Sequence, residues 1–63
     1  MIQVKIFDEE HESDLEMVVN KFLSSKDYST IIDIKYHMHS FVTKDNEQIY
    51  CYSAMVIYND NDS

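Results

Sequence analysis

A chain of 63 residues with no glycine, no proline, a formal charge of −7 and only five basic side chains, all lysine, excludes several functions at once. Roughly seven glycines and prolines are expected at this length, and without glycine the phosphate-cradling turns of dinucleotide folds, P-loops and GXXG clamps cannot be built. The acidic balance argues against direct binding of nucleic acid, and the single cysteine, Cys51, cannot form an internal disulfide, which points to a reducing compartment.

Met1–Phe7 alternates, with Ile2, Val4 and Ile6 on one face and Gln3, Lys5 and Phe7 on the other, as a short strand does. A crowd of acids from Asp8 to Glu12 marks the boundary. Ser13 followed by Glu16 fits a capping box that opens a helix, and a start near Glu9 with Asp8 as the cap is equally permitted. Leu15, Val18, Val19, Phe22 and Leu23 recur at helical spacing and form one apolar stripe. Ser24 to Asp27 ends the helix. Thr30–Val42 reads as a second strand, Thr43–Asn46 as a turn, and Gln48–Tyr58 as a third strand rich in aromatic and β-branched residues. The third strand is apolar on both faces, the mark of a central strand. Residues 59–63 read as a frayed polar tail.

This order predicts an α+β fold, a single β-α-β-β domain over residues 1–63. The sheet is three-stranded and mostly antiparallel, with the third strand in the middle and one helix on one face. The other face is left open. A hairpin loop of two residues (Lys44 and Asp45) or of four (Thr43–Asn46) gives one and the same pairing. It sets Ile34 opposite Met55, Tyr36 opposite Ser53, Met38 opposite Cys51, His37 opposite Tyr52 and His39 opposite Tyr50. The open face is then a row of tyrosines, Tyr50, Tyr52 and Tyr58, beside Lys35, His37 and His39. That composition suits a protein interface or a site for a small anionic, nucleotide-like ligand. Glu9, Glu10, Glu12, Asp14 and Glu16 form an acidic edge suited to a partner with a basic surface.

His37-Met38-His39 places two imidazoles on one face of a strand, about 6.5–7 Å apart. A zinc site needs a third and fourth ligand. His11 lies near the helix start and Cys51 faces away in the expected register, so no metal and no cofactor is anticipated. Cys51 would gain a base from His37 or His39 only in a different register, so no catalytic residue is assigned and a non-enzyme is expected. There is no leader-like apolar run and no stretch of the ~20 apolar residues a membrane span needs. A chain this short buries only about 60% of its unfolded surface, and self-association into a dimer or larger species is the simplest remaining staple.

Val4-Lys5-Ile6-Phe7-Asp8, the run Asn20-Lys21-Phe22-Leu23, Ile31–Tyr36 and above all Ser53-Ala54-Met55-Val56-Ile57-Tyr58 resemble a small sporulation-associated (Cse-type) protein family of endospore-forming bacteria and their phages. His37-Met38-His39 and the Asn-Asp tail are particular to this chain. The resemblance carries no catalytic residues. It implies a cytoplasmic bacterial or phage protein that acts by binding. The expected function is therefore an acidic binding protein that oligomerises and modulates a host protein, in the form of a phage- or mobile-element-encoded inhibitor. A small-molecule sequestering protein with pockets at oligomer interfaces and a sporulation-associated structural or interaction protein are the alternatives.

Overall fold

The computed structural model describes residues 1–60. The chain runs β1 (Ile2–Glu9), α1 (Glu12–Ser24), a 3-10 turn (Tyr28–Thr30), β2 (Ile31–Val42) and β3 (Gln48–Asn59). The strands form one antiparallel sheet in the order β1-β3-β2, so the strand apolar on both faces is central, as its composition requires. The helix lies over β1 and β3.

The helix starts at neither expected cap. His11, in extended backbone, occupies the N-cap position without a side-chain cap bond, and Ser13 falls inside the first turn. Pairing with β3 holds β1 extended as far as Glu9, opposite Tyr52, and this delays the start of the helix. At the other end Ser25 stays in helical backbone, and the hydroxyls of Ser24 and Ser25 donate to the carbonyls of Lys21 and Phe22. Carbonyls left over at a helix end are met here by serine, where a glycine cap would be usual. Asp27 then caps the 3-10 turn by accepting from the Ser29 amide.

The expected fraying of the tail is corrected for its first two residues. Asn59 belongs to β3, its side chain accepts from the Met1 ammonium at 2.9 Å, and the Asp60 amide donates to the Met1 carbonyl at 2.8 Å. The rest of that expectation, residues 61–63, lies outside the described residues.

The hairpin register is one residue away from the expected one. The loop proper has three residues, Lys44 to Asn46, an odd number. The Thr43 amide donates to the Glu47 carbonyl at 2.8 Å, and the Asn46 amide to the Thr43 carbonyl at 3.0 Å. Asn46 takes a φ of 66°, left-handed backbone that this loop type demands at its third position. Asparagine is the residue that tolerates this region best after glycine. Ile34 therefore pairs with Val56, Tyr36 with Ala54, Met38 with Tyr52 and His39 with Cys51. A second irregularity, between Ile31 and Asp33, shifts the register again at the far end of β2.

The molecule measures 47 × 18 × 16 Å. Its length comes from the hairpin. β1 pairs with β3 only from Tyr52 to Asn59, so the last turn of the hairpin, with Phe41, Val42 and Tyr50 exposed, projects beyond both β1 and the helix. Among the described residues the buried side chains are Leu15, Ala54, Val56 and Tyr58. This is a narrow core, one seam between the helix and the central strand.

Candidate functional site

Alternation along β3 sends Tyr50, Tyr52, Ala54, Val56 and Tyr58 to one face, and ring contacts identify it as the helix side. Phe22 of α1 meets Phe7 of β1 edge-on at 5.7 Å and Tyr58 of β3 edge-on at 5.3 Å. The Lys26 ammonium lies 5.0 Å from the Tyr58 ring centre and 5.6 Å from that of Phe22, and the Tyr58 hydroxyl donates to Gln3 at 3.2 Å. Tyr58 is thus a core residue under the helix. The expectation that it lies on the open face fails because the register is shifted.

Between α1 and β2 the helix side remains uncovered. A groove of about 600 Å³ runs there, with Leu15, Val19, Ile34 and Ala54 as its apolar floor and Glu12 and Glu16 on its rim. Tyr36 closes it on the β2 side. Farther toward the hairpin tip, Tyr50 and Tyr52 stack with ring centres 6.4 Å apart. Partial burial raises the Tyr52 phenol above its ordinary pKa, and the Glu12 carboxylate and the phenols of Tyr36 and Tyr50 add to this. Of the acidic edge read from the sequence, Glu12 and Glu16 are brought to the groove and Glu9 stands across from Tyr52 on the same side of the sheet. Glu10 and Asp14 are exposed and outside the groove.

The opposite face carries no helix. Ile2, Val4 and Ile6 of β1 stand there at 67%, 54% and 57% exposure, beside Met55 and Ile57 of β3. A polar row crosses it, Asp8 to Ser53 to His37, in which the Ser53 hydroxyl donates to Asp8. Lys35 pairs with Asp33 at 3.3 Å on the β2 side. Toward the hairpin tip His37, His39 and Phe41 form a ladder, with ring centres 5.8 Å and then 6.5 Å apart.

The six residues expected to share one face are therefore divided. Lys35, His37 and His39 are on the open face, while Tyr50, Tyr52 and Tyr58 are on the helix side. The tyrosine-and-lysine cradle for a nucleotide-like ligand is not assembled within one chain. The same shift sets His39 directly opposite Cys51. Among the described residues no hydrogen bond joins that thiol to an imidazole, and no group of three or more His, Cys, Asp or Glu is arranged to hold a metal ion. The residues missed by sequence reasoning are Ile2, Val4 and Ile6 as an uncovered surface. Their alternation announced an apolar face, but nothing local says which side the helix takes.

No helix among the described residues is long and apolar enough to cross a membrane. The family model described as sporulation protein Cse60 matches residues 1–60. Sporulation protein cse60 of Bacillus subtilis (strain 168) is 45% identical over 58 residues, which cover 92% of this chain and 97% of that protein. No solved structure matches the chain.

Proposed function

The chain belongs to the sporulation protein Cse60 family, and from that membership we propose that it is a non-enzymatic interaction protein whose groove between α1 and β2 binds a basic, partly apolar segment of a protein partner. One observation carries this reading. Two carboxylates, Glu12 and Glu16, rim a groove with an apolar floor in a chain of net charge −7. Apolar side chains of a partner segment would fill the floor, and its lysines or arginines would meet the rim, where charge sets orientation and encounter rate. The groove is open to solvent and has room for several side chains of a partner segment. Modulation of a host protein, including inhibition by a phage-borne relative, would run through the same groove by covering a basic surface. The compartment this implies is the cytoplasm of the sporulating cell.

A photo-crosslinking residue placed at Asn20, on the groove, tests this in sporulating cells against one at Met17, on the outer face of the helix. The expected result is a discrete protein adduct from position 20 alone, lost when Glu12 and Glu16 are both changed to lysine. An adduct that survives this charge reversal, or none at position 20, refutes the groove reading.

A further inference from the structure

We propose that the open aliphatic face of the sheet is the contact between two copies of this chain, packed sheet on sheet. This surface is separate from the groove, on the opposite side of the sheet, so the two proposals stand or fall independently.

The first argument is area. Ile2, Val4 and Ile6 keep more than half of their surface exposed, Phe41 keeps 50%, and Met55 and Ile57 are only half-buried beside them. Three strands about 4.8 Å apart over the eight residues of β1, continued by the two-stranded arm, present a face about 40 Å long and 10–14 Å wide. With its side-chain relief this is on the order of the ~800 Å² per partner that stable dimers bury.

The second argument is charge. Two chains of net charge −7 repel one another unless they meet where charge is sparse. On the strands, the open face carries two acids, Asp8 and Asp33, and each already has a partner on its own chain: the Ser53 hydroxyl for Asp8 and the Lys35 ammonium for Asp33. Covering them leaves each acid with the partner it already has. Glu9, Glu12 and Glu16 project from the other side, away from the contact. A basic partner is drawn to that acidic side, and a face with few acids around an aliphatic patch suits the contact between identical subunits.

The third argument is need. Four buried side chains are a thin core for a domain of this size, and a two-stranded arm is marginal in water without something against it. A second sheet packed on this face covers the arm and doubles the number of layers.

Sedimentation or light scattering on the full chain, from low to high micromolar, tests the proposal with two variants. Two chains of 7.5 kDa each are expected to sediment together. Ile6→Lys is expected to weaken the dimer by about 100-fold or more by placing an unpaired ammonium in the contact, and Met17→Lys on the outer helix face to leave it unchanged. Should Ile6→Lys fail to fold, isotope-filtered NOEs between labelled and unlabelled wild-type copies decide, with Val4, Ile6 and Met55 methyls expected to show contacts across the interface. A wild-type chain that stays monomeric, a dimer indifferent to Ile6→Lys, or filtered contacts from the free edge of β2 or from α1 would each overturn it.

Discussion

The two faces of the sheet both carry apolar side chains and have opposite fates. On the helix side, aromatic and small residues interlock. Phe22 wedges between Phe7 and Tyr58, and Leu15, Ala54 and Val56 are buried on the same side. On the far side, Ile2, Val4, Ile6, Met55 and Ile57 are uniform aliphatics with nothing above them. Both faces would gain from burial in proportion to area. One helix of thirteen residues can cover only one of them, and it covers only part of that, leaving Ile34, Tyr36 and Met38 of β2 exposed. Burial on the helix side therefore holds the chain in its fold, and the uncovered side is available for association. Hydrophobicity alone does not separate the two roles; cover by another element does.

The largest effects should break this contrast directly. Leu15→Ala, under the helix, is expected to cost about 3 kcal/mol, the usual result of deleting a buried leucine, out of a total stability of roughly 3–9 kcal/mol for this length. Ile2→Ala, at the open face, should cost under about 1 kcal/mol in dilute solution where copies are dissociated. Urea melts at low and high protein concentration check both. Equal losses at low concentration would mean that the two faces do not differ in role within the single chain.

The hairpin turn comes next, because its parity assigns residues to the faces. Asn46→Val is expected to lose about 1–2 kcal/mol by forcing a β-branched residue into left-handed backbone. Asn46→Gly should be neutral or slightly stabilising. The urea midpoints of the two variants measure the difference, and a valine variant as stable as glycine would speak against a left-handed residue at this position.

Smaller effects sharpen the helix side. His11→Asp should gain about 0.5–1 kcal/mol by supplying the cap that the helix lacks. Ser13→Ala should change stability by under about 0.5 kcal/mol, because that hydroxyl is not the cap. A loss near 1 kcal/mol at Ser13 would restore the capping box.

The smallest expected effect is a titration. The Tyr52 phenol, raised first by partial burial and then by Glu12, should ionise at higher pH than an ordinary tyrosine. Its pKa in the fold lies above that in the unfolded chain. The stabilisation is therefore intact below the ordinary tyrosine range and is lost as pH rises through the folded value. Ultraviolet titration should show a late phase that Tyr52→Phe removes and Glu12→Gln moves to lower pH. An unchanged curve in Glu12→Gln would detach that carboxylate from the tyrosine cluster.

Much of the architecture was legible in the residues. The order of elements, the central place of β3, the apolar stripe of α1 from Leu15 to Leu23 and the acidic approach to the helix all follow from periodicity and composition, which act over a few neighbouring residues. The candidate surfaces were legible only in pieces. Glu12 and Glu16 were recognisable as part of an acidic edge, but their groove exists only because Ile34 and Tyr36 stand across from the helix.

Sequence by itself determined the periods, two along each strand and 3.6 along the helix, and the acidic charge balance. Tertiary structure alone decided the phase. In a strand of period two, one residue more or less in a loop exchanges its two faces completely, and the side on which a helix settles is chosen by packing among distant residues such as Phe7, Phe22 and Tyr58. Local preferences are blind to both choices, and together they placed the tyrosines under the helix and the isoleucines in the open.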